Sequence, residues 1–309
     1  MLNSIYQAID PVIFTLGPFT VRWYGVAYVL GFLCAALVIW RVSKRWRVRV
    51  DSDSLLTIMF CVIVGIIVGA RLGYVVFYGA GQYLENPLEI LAFNKGGMSF
   101  HGGLVGALVA GIVAAKVTRI PYLTLADLGC IGAPLGLFFG RCANFINGEL
   151  WGAPTDAPWG VVFGGSAGLV PRHPSQLYEA LLEGVVLFVV LFLLSRKRPP
   201  RARGTFLGVF LVLYGMFRFL IEFVRQPDAQ LGYLWGGWLT MGQVLSMPLI
   251  AVGACVLVYA LVKKLPQQGV ATCAGETADV VPPSDVEPHA GEVAPREVEP
   301  AGEEQKGRR

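Results

Sequence analysis

Charge is scarce in this chain: charged residues make up 15% of its 309 positions, against about 25% in an ordinary soluble domain. With 55% hydrophobic residues beside so few charges, a soluble globule is excluded. Gly and Pro number 38 and 19, below the roughly 25–30% that marks low complexity, so general disorder is excluded as well. Histidine is rarer still, at three residues, and none of the six cysteines stands in a C-x-x-C pair. H-E-x-x-H is absent too, so metal and redox readings lose their usual ligand sets and no cofactor or metal is expected. What remains is a polytopic membrane protein.

The net charge of +4 is unevenly spread. Residues 1–265 hold 21 Lys+Arg against 12 Asp+Glu, whereas residues 266–309 hold 4 against 9. That second stretch has no aromatic residue and cannot bury enough apolar area to offset its ordering entropy. The expected organisation is therefore a membrane domain over 1–265 and a disordered acidic tail over 266–309.

Within the first segment, apolar runs of spanning length, about 17–25 residues, fall at 23–40, 55–78, 101–117, 123–142, 177–195, 205–224 and 239–262. Seven transmembrane helices are expected, in an all-α fold. Runs such as LYEALLEGVVLFVVLFLLS do not alternate as barrel strands do. No Lys or Arg precedes Arg22, so the first span does not read as a cleaved signal peptide.

Orientation follows from the basic residues between spans. Fourteen of them, including Arg41, Lys44, Arg45, Lys116, Arg196, Arg203 and Lys264, lie on one side; four, Lys95, Arg141, Arg172 and Arg225, lie on the other. The N-terminus is expected outside and the C-terminus in the cytoplasm. The basic loops then serve orientation and anionic headgroups, and no nucleic-acid partner follows.

Against that frame the few polar residues of the spans stand out. Tyr24 opens the first span, His101 the third, and His173 precedes the fifth; Arg141 and Asn144 close the fourth. Arg71 lies about 24 Å along its span and Arg218 about 20 Å along its own, at 1.5 Å per residue, so all share one outer-half layer. Charges inside a span usually face a cavity or a partner. For Arg218 the local alternative is an i,i+4 pair with Glu222, itself near Arg225; for Arg71 it is a loop carbonyl or acid.

Three segments concentrate chemistry. G-R-C-A-N-F-I-N-G-E-L-W-G at 140–152, where the fourth span is expected to give way to an outer loop, reads as a polar pocket wall. G-G-M-S-F-H-G-G at 96–103 surrounds His101 with glycines, among them Gly102 and Gly103, whose amides suit an anion at a helix start. R-H-P-S-Q-L-Y-E at 172–179 reads as a Pro-led helix entry with His173 structural. Thr124 and Asp127 have the spacing of a capping box. Glu179 and Glu183 share a helical face and read as a polar seam or gate. Gly65, Gly69, Gly73 and Gly132, Gly136, Gly140 recur every four positions and read as helix-packing surfaces.

Together with R-W-Y-G at 22–25 and Y-G-M-F-R-F-L-I-E-F-V-R-Q-P-D at 214–228, these segments resemble the bacterial prolipoprotein diacylglyceryl transferases over residues 10–265. The resemblance implies a multi-pass enzyme of the bacterial cytoplasmic (inner) membrane, its site in the outer-leaflet or periplasmic half. Its substrates would be phosphatidylglycerol and the lipobox cysteine of a prolipoprotein signal peptide. The diacylglyceryl group passes to the thiol as a thioether and glycerol phosphate leaves. By matching position, the implicated residues are Tyr24, His101, Arg141, Asn144, Glu149, Gly152, Tyr214 and Arg218; Arg71, Asp127, His173, Glu222 and Arg225 also match, as structural or gating residues. The loop between Glu149 and His173 looks short for the family, and the acidic tail has no counterpart in its core.

The chemistry fits these residue types. A free thiol of pKa about 8.5 is only about 3% ionised at pH 7 and needs a base; His101 is the candidate, oriented by Tyr24 or Tyr214. Arg141 and Arg218 suit the phosphate leaving group, Asn144 the headgroup or ester carbonyls, and Glu149 an arginine or the loop. Two rival classes remain: an intramembrane serine hydrolase pairing Ser99 with His101 or Ser175 with His173, and a transporter, which would show paired halves or interrupted helices.

Overall fold

The computed structural model describes residues 2–17, 19–79, 83, 86–92, 96–198, 200–227 and 232–267. Lys95, Asp228 and the tail from residue 268 onward lie outside them, as therefore does most of the expected disordered appendage.

The chain begins with a short helix α1 (Leu2–Gln7) and a hairpin of β1 (Val12–Leu16) and β2 (Phe19–Arg22). Its antiparallel register pairs Val12 with Arg22 and Thr15 with Thr20. This short hairpin is an addition to an otherwise helical fold: Phe14 faces Val21 and Thr15 faces Thr20, the register is irregular between Val12 and Phe14, and Gly17 adopts φ +57° at the turn.

Helices follow: α2 (Trp23–Trp46), α3 (Ser52–Tyr78), α4 (Phe100–Thr118), α5 (Tyr122–Asn147), α6 (Ser175–Ser195), α7 (Thr205–Ile221) and α8 (Met241–Lys263). Six of them are long and apolar enough to cross a membrane, and α7 is a shorter apolar helix. The chain is a helical, polytopic membrane protein. Large apolar side chains point outward along these helices, with Leu33 61%, Phe60 69%, Val105 60% and Val258 59% exposed, as lipid-facing surfaces do.

Helix starts follow local chemistry. Asp51 accepts from Ser54 N at the head of α3, at 2.8 Å, and the Ser54 hydroxyl together with this amide holds its carboxyl below the ordinary value. Thr240 and Gln243 form a reciprocal capping box on α8. The box expected from Thr124 and Asp127 does not form: α5 starts behind Pro121 with no side-chain cap. Asp127 instead reaches across to α7. Its carboxylate accepts from Gly204 N and Leu207 N, both at 2.8 Å, and from Gln267 Nε2 at 2.6 Å.

Helices pair closely where glycine permits. A Cβ on Gly69 would stand 2.5 Å from Gly102 O and 2.7 Å from Gly106 Cα, so α3 and α4 meet backbone to backbone. The second glycine row is uneven: a Cβ on Gly132 would meet Ala35 Cα at 3.0 Å, whereas Gly136 and Gly140 have open space. The main apolar core, including Val42, Trp46, Ile58, Ala114, Leu128, Leu191 and Phe206, occupies the bundle end formed by the C-termini of α2, α4 and α6 and the N-termini of α3, α5 and α7. The arginines and the carboxylates they hold lie toward the other end.

Candidate active site

Helix α5 does not stop at residue 142 but runs to Asn147, where Gly148 in the left-handed region (φ +67°) caps it. Arg141, Asn144 and Asn147 are thus helical residues, not part of a loop wall. The segment after Gly148 folds back: Gly152 N donates to His173 O at 2.9 Å and Ala153 N to Val224 O at 2.9 Å. A Cβ on Gly152 would lie 2.5 Å from Val224 O and 2.7 Å from His173 O. Gly152 is therefore a packing residue where three segments meet.

Arg172, which the sequence shows only as an outer basic residue opening the 172–179 segment, binds this junction together. Its guanidinium lies 4.1 Å from the Trp151 ring centroid and donates to Ala167 O at 2.8 Å and to Gln226 Oε1 at 3.1 Å. His173 Nδ1 meets Tyr178 Oη at 3.2 Å, and Trp159 Nε1 donates to that same hydroxyl at 2.7 Å. Burial holds the His173 imidazole below its ordinary value.

The centre of the polar layer is Glu179, which the sequence places in a seam or gate. Wholly buried, it pairs with Arg141 Nε at 2.7 Å, Arg218 Nη1 at 2.7 Å and Arg225 Nη1 at 3.1 Å. Arg218 also holds Glu222 at 2.9 Å, so the i,i+4 pair forms but is not its only contact. Arg225 is turned to Glu179. Glu183, also wholly buried, has its Oε2 3.7 Å from Arg141 Nη2.

Two local features aim these groups. Residues Ala180–Val186 form a π-helical stretch within α6, a device common at functional sites. A Cβ on Gly184 would lie 2.7 Å from Phe138 Cβ, so α6 closes on α5 just upstream of Arg141. On the far side, the Glu222 carboxylate fills the space beside Gly242 in the first turn of α8, where a helix N-terminus favours an anion.

The remaining candidates divide. Tyr24 bonds Tyr28 Oη at 3.3 Å and lies within electrostatic reach of Arg141 and Glu149. Tyr214 stacks on Phe210 and lies within reach of Arg141, Arg218, Glu179 and Glu183. Neither tyrosine bonds His101, so the expected orienting contact is not made. His101 is exposed at the first turn of α4, its ring edge-on to Phe100 at 5.7 Å. The amides of Gly102 and Gly103 are already used, by Ser99 Oγ at 3.3 Å and Ser99 O at 2.9 Å, which replaces their expected anion-binding role with helix capping and packing.

Glu149 accepts from Asn147 Nδ2 at 2.8 Å rather than from an arginine. Its backbone carbonyl takes Gln176 Nε2 at 2.5 Å. Asn144 is buried, and its side-chain amide makes no hydrogen bond among the described residues. Arg71 is the buried loop holder that its alternative reading describes: it donates to Glu89 O at 2.6 Å, Gly96 O at 2.5 Å and Ile90 O at 2.8 Å.

Three guanidinium groups so gathered can receive an anionic headgroup by exchange with Glu179. The serine pairings do not form, since Ser175 Oγ donates to Leu150 O and Ser99 Oγ accepts from Gly102 N.

Residues 11–259 match the family model described as prolipoprotein diacylglyceryl transferase. Among curated relatives, the phosphatidylglycerol--prolipoprotein diacylglyceryl transferase of Geobacter sulfurreducens is 47% identical over 260 residues, covering 84% of this chain and 98% of that one. That of Oleidesulfovibrio alaskensis is 50% identical over 263 residues, covering 83% and 95%. The Methylococcus capsulatus protein of the same name is 46% identical over 265 residues, covering 84% and 98%. The chain belongs to the prolipoprotein diacylglyceryl transferase family.

Proposed function

We propose that this enzyme transfers the diacylglyceryl group of phosphatidylglycerol to the thiol of a lipobox cysteine in a prolipoprotein signal peptide, forming a thioether and releasing glycerol phosphate. The observation that carries the reading is the convergence of Arg141, Arg218 and Arg225 on the one buried carboxylate of Glu179. These cations are already held at fixed positions, so a phosphate that displaces Glu179 meets them without reorganisation. Negative charge on the phosphate grows as the glycerol carbon–oxygen bond breaks, and charge-assisted contacts strengthen with it.

Asn144, with its amide uncommitted, holds the headgroup or the ester carbonyls. His101 takes the thiol proton, as base or relay; its exposure at a helix start suits a group that meets an incoming peptide. Tyr24 and Tyr214 border the arginines and act on the lipid side of the site rather than on His101. Glu149 steadies the turn after α5. The seventh span is α7, extended by the residues that follow it, and the excess of basic residues on one side puts the N-terminus outside and the C-terminus in the cytoplasm. The site then sits in the outer-leaflet half of the bacterial cytoplasmic membrane.

The test mixes purified protein with phosphatidylglycerol and a lipobox peptide and reads the products by mass spectrometry. A diacylglyceryl thioether on the cysteine and free glycerol phosphate are expected, with both lost when His101 and Arg141 are replaced together. Absence of product from the unaltered protein, or undiminished yield from the double variant, would overturn the reading. Near-full activity in Arg141→Lys would separately remove the planar, two-pronged role of that guanidinium.

A further inference from the structure

Six ionisable side chains meet between α5, α6, α7 and the segment after it: Arg141, Arg218 and Arg225 against Glu179, Glu183 and Glu222. Their formal charges cancel. A phosphodiester entering this cluster brings one more negative charge into a buried place, and an uncompensated buried charge is strongly disfavoured.

The three carboxylates are not equally supported. Glu179 is held by three arginines and Glu222 by Arg218 at 2.9 Å. Glu183 is 0% exposed, and both of its carboxylate oxygens lack a hydrogen-bond partner among the described residues, whereas Glu179 and Glu222 each have one such oxygen, Oε2, and that oxygen stands 2.7 Å and 2.9 Å from an arginine. The ion contact of Glu183, Arg141 Nη2, is 3.7 Å away, beyond hydrogen-bond distance. Every group facing it weighs on its charge. Arg141 approaches from α5, Glu179 from its own helix, Tyr214 and Arg218 from α7, and Arg225 from the segment after α7. An ionised carboxylate with donors around it stays ionised; one without them yields first when negative charge is added nearby.

We propose that Glu183 is the proton-accepting carboxyl of this cluster: as the phosphodiester settles among the arginines, Glu183 takes one proton from bulk water and the cluster stays electrically neutral. The O–H bond of the carboxylic acid forms as the corresponding bond of hydronium or a buffer acid in the surrounding water breaks, and the proton returns to the water when the phosphate product leaves. Glu183 is a positioning residue, acting on the lipid through the charge it leaves free on Arg141. The inference rests on the transferase reading for the identity of its ligand.

Binding of short-chain phosphatidylglycerol to the detergent-solubilised full chain is measured by titration calorimetry in two buffers of different ionisation enthalpy. The unaltered protein is expected to take up a proton per lipid bound, with a Kd that rises toward tenfold per pH unit over the range where that uptake occurs. Glu183→Gln, neutral at every pH, is expected to bind with no proton uptake and a flat Kd. Binding without uptake by the unaltered protein, or the same uptake in Glu183→Gln, overturns the inference; the first outcome holds even if the variant fails to fold. Thioether assays on the same samples separate the two readings. Product without proton uptake removes the role of Glu183 alone, and proton-coupled binding without product removes the transferase reading alone.

Discussion

Arg218 on α7 and Glu179 on α6, 39 residues apart in sequence, meet at 2.7 Å through Nη1 and Oε1. The pair is mostly withdrawn from solvent, and its acid is shared with Arg141 and Arg225. Removing the shared acid takes from Arg225 its ion pair and leaves Arg218 with Glu222 alone and Arg141 with the more distant Glu183. Breaking a buried pair in this way costs about 3–5 kcal/mol. Glu179→Ala is therefore expected to lower Tm in detergent by several degrees and to abolish transfer, whereas Glu179→Gln keeps the shape and loses only the charge. A Glu179→Ala variant with unchanged Tm would show that the arginines are held otherwise.

The pairing also shows where sequence reasoning stops. Arg141 and Arg218 stand out as expensive residues in one outer-half layer, and Glu179 and Glu183 as a polar seam on one helical face; that much is legible from hydropathy and helical rise alone. Which carboxylate faces which arginine depends on how α5, α6 and α7 cross, and no local pattern encodes it. Glu179 carried its own signal: it and Glu183 interrupt an otherwise apolar run, a cost that demands a partner. The end of α5 was obscured for a related reason. Hydropathy cannot distinguish an inward polar face from a loop, so Arg141–Asn147 resembled a chain leaving the membrane. Capping boxes show the same limit, since Thr240–Gln243 forms one while Asp127 is drawn away by the free amides of α7.

Glycine substitutions separate packing from open space. Gly152→Ala drives a methyl group against the backbone of Val224 and His173, and overpacking of this kind costs about 1–3 kcal/mol. Gly140→Ala meets nothing within 4 Å. The expected result is a clear loss of Tm and activity for the first and near-native behaviour for the second, measured side by side; equal effects would refute the packing account of Gly152.

Arg71→Lys tests the loop holder. A lysine carries the same charge but cannot reach carbonyls on both sides of its stem in one planar fan, and each buried carbonyl left unpaired costs about 1–3 kcal/mol. Lower Tm and faster proteolysis of the 86–97 region are expected, with KM for phosphatidylglycerol less affected than stability. A variant changed only in KM would instead place Arg71 against the lipid.

For His173 the sign of the pH effect follows from burial, which lowers its folded value below the unfolded one of about 6.5. Between those two values the unfolded chain binds more protons, so stability rises with pH. The contribution is fully present above the unfolded value and is lost as pH falls through the folded one. His173→Gln retains a group able to bond Tyr178 but does not titrate, so its Tm is expected to fall less than that of the unaltered protein on acidification from about pH 7 to about pH 5. Parallel Tm curves would assign the acid sensitivity to other groups.

Asp127 offers a test at the opposite end of the bundle from the arginines. Its two carboxylate oxygens serve three donors: Gly204 N and Leu207 N at the head of α7, and Gln267 Nε2 just beyond α8. Asp127→Asn replaces one acceptor oxygen by an NH2 group, which faces an N–H it cannot accept from. Loss of a helix cap costs about 0.5–2 kcal/mol. The consequence is local, because α7 continues through its packed face to Arg218 while its first turn loosens. Faster tryptic cleavage at Arg201 and Arg203 is expected, with a modest fall in Tm and the kcat of transfer largely retained. If Asp127→Asn abolished transfer while leaving cleavage at these arginines unchanged, the residue would belong to the reaction rather than to the latch that holds the ends of α5, α7 and α8.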